Sequence, residues 1–173
     1  EFFNADTSGT TYNLSESFGL AFTRDGHTTG EPELWTRFPP SAVVPPGGRF
    51  VICTANASAA LLARCDSVWE MASDEIGDGD DGVCLFTIHA PEPEPGPWPT
   101  GTPYTLIDCV GDLSPSQEQS VCGLEMGISA NKLVRRGFVV AGNRGNWTTS
   151  RGSSYSNCEW HLHVTLCDDV TKD

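Results

Sequence analysis

The sequence predicts an all-β domain, and three features carry that prediction. Short runs rich in aromatic and β-branched residues recur along the 173 residues: FFN, FGLAFT, RFVICT, GVCLFTI, YTLIDCV, GFVVAG and EWHLHVTL. Glycine, proline and asparagine separate these runs, as tight turns require. The last run, Glu159–Leu166, alternates Trp160, Leu162, Val164 and Leu166 with His161, His163 and Thr165. That is the period of a strand with one buried and one wet face.

Along the chain, Glu1-Phe2-Phe3-Asn4 reads as the interior of a strand, and Phe18–Thr23 as the next clear one. The stretch PPSAVVPPGGRF is a turn leading into a strand, with Pro45–Gly48 as its corner. Ser58 stands as a cap before Ala59, Ala60, Leu61 and Leu62, so one short helix is expected there and no other. GVCLFTI and YTLIDCV are expected to be neighbouring strands, each satisfying the other's backbone. The proline-rich segment Pro91–Pro103 lies between them and reads as a long, semi-rigid hairpin excursion in partly extended form, not as a domain boundary. Trp98 in this segment either folds back onto the sheet or stands out to stack on a partner. The whole of 1–173 reads as one domain.

The segment Asp74–Leu85, DEIGDGDDGVCL, places five acids in its first eight residues with glycines among them. A helix-flanked calcium loop does not fit, because counting from Asp74 puts Ile76 third and Leu85 twelfth. Two readings stay open. The segment is a tight turn whose glycines take positive φ, or Asp78, Asp80 and Asp81 form an irregular calcium site with backbone carbonyls. The expectation is no cofactor, with calcium as the alternative.

Seven cysteines and three Asn-x-Ser/Thr sequons, at Asn13, Asn56 and Asn146, point to an oxidising, secreted setting with N-linked glycans. Cys53 ends a strand and Cys65 ends the short helix after it, which favours a local bridge. Cys84 and Cys109 lie on the two expected neighbours and are placed to pair across the sheet. Cys122 with Cys158 would pin a long loop to the last strand. Cys167 is then the odd thiol, or a bond to another subunit.

The formal charge of −13 disfavours a phosphate backbone as partner. The only compact basic run is Lys132–Arg136, KLVRR. It mixes a strand edge with solvent-facing charge, and Arg135 and Arg136 are positioned to meet an acidic neighbour. No apolar run approaches the ~18 residues of a membrane helix. Cys-x-x-Cys spacing and a Gly-x-Ser-x-Gly elbow are both missing. His161 and His163 share one strand face, a spacing that holds zinc only if a neighbour adds ligands, and strand alternation alone also explains the pair. The expectation is therefore a protein that is not an enzyme.

Several stretches, in order, resemble the extracellular and bacterial forms of the lamin tail domain. They are Gly79-Asp80-Asp81 before an apolar strand, Asp108-Cys109-Val110-Gly111, Lys132-Leu133-Val134-Arg135-Arg136, then Gly142, Asn143, Trp147 and Ser150, and last Glu159-Trp160. Tyr12–Phe22 is similar to the family's early segment. The resemblance covers most of the chain and implies an immunoglobulin-like β-sandwich. The long proline insert and the cysteines depart from the family pattern. In this comparison Glu1–Asn4 corresponds to the family's second strand, so the first is missing or supplied by another segment or chain.

Together these readings imply a secreted module of a cell surface, matrix or filament that self-associates or binds another extracellular protein. Strand addition beside Glu1, Phe2, Phe3 and Asn4, locked by an intermolecular disulfide, would assemble it. The alternatives are a calcium-assisted carbohydrate-binding or adhesin-type module, with Trp98 and the acidic turn near its site, and an accessory domain of a secreted hydrolase or nuclease.

Overall fold

The computed structural model describes residues 1–23, 32–69, 81–88, 96–98, 103–113, 120–124 and 131–164. The strands are β1 (Phe2–Phe3), β2 (Tyr12–Asn13), β3 (Phe18–Thr23), β4 (Leu34–Arg37), β5 (Val43–Val44), β6 (Arg49–Phe50) and β7 (Ile52–Thr54). After them come β8 (Ser67–Trp69), β9 (Gly82–Ile88), β10 (Gly96–Pro97), β11 (Tyr104–Val110), β12 (Asn131–Arg135) and β13 (Trp160–Val164). The fold is all-β. Its centre is a five-stranded sheet in the order β10-β4-β3-β9-β11, antiparallel throughout.

Both faces of this sheet are covered, which is why β3 is buried almost without alternation. Leu20 and Phe22 of β3, with Leu34, Val83 and Leu85, face Val44, Phe50, Phe2, Ile52 and Trp69 from the short pairs β2–β5, β1–β6 and β7–β8. On the other face, Ala21, Trp35 and Phe86 pack beneath Trp98, Tyr104 and Leu106. β9 and β11 pair directly, with Cys84 opposite Cys109 and a bulge between Leu106 and Asp108. The proline-rich excursion leaves from between them, yet its Gly96–Pro97 pairs with β4 at the far edge. Trp98 donates its backbone N–H to the Glu33 carbonyl at 2.8 Å. Its ring meets Phe86 and Tyr104 edge to face, at 5.0 and 4.6 Å between centroids. The described part of the excursion therefore folds back over the sheet, and the half-buried Trp98 ring is engaged there rather than projecting whole into solvent. The other residues of 91–102 lie outside the described ones.

Gly19 makes this aromatic roof possible. It lies opposite Phe86, and a Cβ at Gly19 would come within 2.5 Å of the Phe86 ring. Phe86 is itself held by Trp35, Trp98 and Tyr104, so it has little room to give. Gly19→Ala is expected to cost about 1–3 kcal/mol through overpacking. Urea denaturation measures the loss, and tryptophan fluorescence should red-shift as Trp98 is pushed outward.

The structure corrects two expectations. Three single-turn helices are present rather than one: α1 (Leu14–Ser17), α2 (Ala59–Leu62) and α3 (Trp147–Arg151). The two unexpected ones begin at sequon asparagines. Asn13 Oδ1 accepts from the Ser15 N–H, and Asn146 Oδ1 accepts from the Thr149 N–H. An asparagine before Ser or Thr is an N-cap signal as well as a glycosylation signal. The run GFVVAG is not a strand. Val139 N–H donates to the Arg136 carbonyl in a turn, and Phe138 and Val140 are 71% and 77% exposed. No partner strand lies beside them among the described residues, and apolar content alone cannot make an isolated strand. Ser58 caps α2 as expected, its side chain accepting from the Leu61 N–H. α2 connects the parallel strands β7 and β8. Among the described residues no helix is long and apolar enough to cross a membrane.

Candidate functional site

Five of the residues that carried the sequence resemblance, Asp108, Asn143, Ser150, Glu159 and Trp160, converge on one polar cluster around Arg135, at the end of β12. β12 pairs with β13 in a two-stranded ribbon, with Arg135 opposite Trp160 and Leu133 opposite Leu162. Alternation sends Leu133 and Arg135 to the same side as Trp160 and Leu162. This side closes over Val121, Cys122, Trp147, Cys158 and Trp160, with Val110 of β11 at its border. A guanidinium delivered there needs acceptors, and three elements supply them.

Arg135 Nη1 donates to Asp108 Oδ2 of β11 at 2.5 Å, and Nη2 donates to Glu159 Oε2 at 2.7 Å. Ser150 Oγ of α3 also donates to Glu159 Oε2, at 2.7 Å, and accepts the Trp160 indole N–H at 3.0 Å. The Arg135 guanidinium lies over the Trp160 ring, 4.5 Å from its centroid. Its side chain retains 19% of its exposure, so the pair sits in an environment between water and core. The cation therefore ties β11, α3 and β13 together.

Asp108 has a second task. Its Oδ1 accepts the backbone N–H of Asn143 at 2.9 Å and of Cys109 at 3.1 Å. Asn143 in turn treats β11 as a neighbouring strand would. Its Oδ1 accepts the Cys109 N–H at 3.0 Å, and its Nδ2 donates to the Cys109 carbonyl at 2.8 Å. Arg144 N–H donates to the Ile107 carbonyl at 3.1 Å. The 142–144 segment thus closes the outer edge of β11 with one side-chain amide and one backbone amide. Gly142 allows the approach, since a Cβ there would strike the Ile107 carbonyl.

Arg136 points the other way and is buried at 8% exposure. Nε donates to the Trp160 carbonyl at 3.0 Å and Nη2 to the Tyr155 carbonyl at 2.6 Å. Its guanidinium lies 4.1 Å from the Tyr155 ring centroid. The two arginines expected to face a partner are therefore turned into the fold. A strand-period reading placed Arg135 on one face, but nothing in KLVRR signals that acceptors wait on both faces.

The acidic turn is represented by Asp81 alone, because Asp78 and Asp80 lie outside the described residues. Asp81 is buried at 9% exposure. A Cβ on Gly111 would strike the Asp81 carbonyl, and one on Gly82 would come within 2.5 Å of the Asp112 carbonyl. These glycines let the 81–82 and 111–112 segments touch backbone to backbone. Among the described residues no cluster of three or more His, Cys, Asp or Glu is arranged to hold a metal.

Three disulfides are formed: Cys53–Cys65, Cys84–Cys109 and Cys122–Cys158, with Cα separations of 5.9, 4.1 and 5.1 Å. They join the pairs that strand order suggested. The first staples β7 to the end of α2, the second crosses the β9–β11 ladder, and the third fastens the 121–124 turn under β13. Cys167 lies outside the described residues, as do His27 and His89. His161 and His163 are exposed on the outer face of the ribbon, and Tyr155 Oη meets His161 Nδ1 at 3.3 Å. Asn56 and Asn146 are exposed and Asn13 is half-buried.

At the amino-terminal strand, Asn4 N–H donates to the Gly48 carbonyl at 3.0 Å and Gly47 N–H to the Asn4 carbonyl at 2.9 Å. Asn4 Nδ2 donates to the Thr10 and Val44 carbonyls. Phe2 packs edge to face on Phe38, while Phe3 is 65% exposed. Glu1 reaches Arg49 at 3.7 Å on the surface. In an antiparallel pair, alternate residues direct their backbone groups to opposite sides. Asn4 faces β6, so the N–H and C=O of Phe3 face away from it. Among the described residues no strand lies on that side of β1. The chain matches no protein-family model, no curated protein and no solved structure.

Proposed function

We propose that the protein is an immunoglobulin-like β-sandwich of the lamin-tail type, serving as a non-catalytic, extracellular structural module that takes a strand from another chain along β1. The observation that carries this reading is the contrast between two edges. The β11 edge is closed by Asn143 and Arg144, whereas β1 presents the Phe3 amide, carbonyl and exposed ring outward. An open edge strand with an apolar side chain is a template for strand addition. The convergence of Asp108, Asn143, Ser150, Glu159 and Trp160 on Arg135 supports the lamin-tail part of the reading, because they act as a fold-holding unit. The three disulfides suit an oxidising compartment. N-linked glycans at Asn13, Asn56 and Asn146 complete the proposal. At Asn13 and Asn146 the capping bonds use Oδ1, which leaves the Nδ2 atom to carry the sugar.

Sedimentation of the oxidised protein over a wide concentration range tests assembly. Wild type is expected to self-associate, and Phe3→Lys to remain monomeric with stability unchanged within about 0.5 kcal/mol, as for an exposed side chain. A wild-type protein that stays monomeric, and whose Phe3 amide is protected from hydrogen exchange, would remove the basis for strand addition.

A further inference from the structure

We propose that Cys122–Cys158 is a thiol-exchange site, in which an external dithiol attacks Cys122 and Cys158 leaves as a thiolate held by Arg136. The proposal rests on the surroundings of this disulfide and not on the lamin-tail reading. Arg136 Nη2 lies 3.4 Å from Cys158 Sγ. The guanidinium is buried, and its other partners are two carbonyls and a phenol ring, all uncharged. Among the described residues no carboxylate pairs with it, for the adjacent Glu159 is committed to Arg135 and Ser150. A buried cation with only neutral acceptors lacks a counter-ion. A thiolate on Cys158 would supply one at contact distance.

The other two disulfides have no such neighbour. No guanidinium or ammonium contacts Cys84, Cys109, Cys53 or Cys65 among the described residues, and Arg64 beside Cys65 in sequence is exposed and screened. The remaining charged and titratable groups around Cys158 are accounted for. Tyr155 lies beneath Arg136 and meets His161 through its hydroxyl. The Arg151 guanidinium is taken up by Ser120, and its carbonyl accepts the Cys122 N–H at 2.7 Å.

Both sulfurs are buried, Cys122 at 5% and Cys158 at 2% exposure, so attack requires the 121–124 turn to open. Cys122 is the half of the bond carried by that turn, which ends at Leu124, 53% exposed. Cys122 has φ of 56°, and Gly123 has φ of 81°. A non-glycine residue in the left-handed region is strained, and a freed turn can relax it. The step balances. A dithiol thiolate bonds to Cys122 Sγ, the bond between the cysteines breaks, and its electron pair departs on Cys158. The second dithiol sulfur then displaces Cys122, which takes one proton. The dithiol ends as a cyclic disulfide, and one proton goes to solvent.

Equilibration of the full chain in mixtures of reduced and oxidised dithiothreitol, followed by alkylation and peptide mass analysis, tests this. Cys122–Cys158 is expected to open at a lower ratio of reductant than the other two bonds. Its apparent equilibrium constant should rise about tenfold per pH unit near neutrality, because opening releases one net proton. Arg136→Gln should raise the required ratio about tenfold or more, equivalent to at least one unit in thiol pKa, and abolish the pH slope. Arg136→Lys should retain part of both. Should Arg136→Gln fail to fold, the wild-type pH slope decides alone. A pH-independent constant for this bond, or its opening last of the three, would overturn the proposal.

Discussion

Arg135→Met is expected to destabilise the protein by about 3 kcal/mol, the lower part of the range for breaking one partner out of a charge cluster, since the site retains some solvent. For a chain of this size that is a fall of about 6–12 °C in melting temperature. The loss does not come from one ion pair. Removing the guanidinium leaves Asp108 and Glu159 facing each other without a cation, and it uncovers one face of Trp160. It also loosens the only charged link between β11 and the β12–β13 ribbon among the described residues. Asp108→Asn in the same background should recover part of the stability. The amide removes one of the two stranded charges, while its oxygen still accepts the Asn143 and Cys109 N–H groups. Arg135→Lys should fall in between, because an ammonium cannot serve two carboxylates and a ring in one plane. Urea denaturation of the four proteins at neutral pH measures the order. If Arg135→Met alone were as stable as the double replacement, the cluster would not be held by charge.

The strands β3, β9, β11 and β13 were legible because each carries its own signal, whereas β4 (Leu34–Arg37) of the central sheet is not among the runs read from the sequence. Glu159–Leu166 alternates, and the structure places Trp160 and Leu162 inward and His161 and His163 outward over its described part. GVCLFTI and YTLIDCV were readable as neighbours because a long insert between two apolar runs leaves their pairing as the simplest closure, and Cys84 lies opposite Cys109. The pairing of Gly96–Pro97 with β4 was not legible. It is a two-residue contact between segments far apart in sequence, and proline is a poor strand former. The arginine cluster was half legible. Its members stood out as an ordered set of motifs, but their shared purpose exists only in space. Asp108, Asn143, Ser150 and Glu159 each read as an ordinary surface polar residue until Arg135 is placed among them. GFVVAG misled for the opposite reason, since its composition is that of a strand and it forms a turn with no partner strand among the described residues.

Gly111, where the end of β11 meets Asp81 of the acidic turn, offers a sharper test of why these segments are built as they are. Gly111→Ala is expected to cost about 2–5 kcal/mol, more than any other single glycine replacement discussed. Two penalties act on it at once. Its φ of 84° lies in the left-handed region, worth about 1–2 kcal/mol against any L side chain. Its Cβ would also strike the Asp81 carbonyl, a backbone atom that cannot rotate away, and overpacking of that kind costs about 1–3 kcal/mol. Other glycines separate the two contributions. Gly9 has φ of 96° and nothing within 4 Å of a built Cβ, so Gly9→Ala should show the conformational cost alone, about 1 kcal/mol. Gly142 has no positive φ but would strike the Ile107 carbonyl, so Gly142→Ala should show the steric cost alone. Denaturation midpoints should rank Gly9→Ala mildest and Gly111→Ala most severe, with the latter close to the sum of the other two. The severity at Gly111 has a structural reading. Residues 81–82 and 111–112 run in backbone contact where β9 begins and β11 ends, so a methyl group wedged there would lever open the ladder that carries Cys84–Cys109. A Gly111→Ala protein as stable as Gly9→Ala would mean that the two segments are not in contact in solution, and that the acidic turn is not packed against the end of β11.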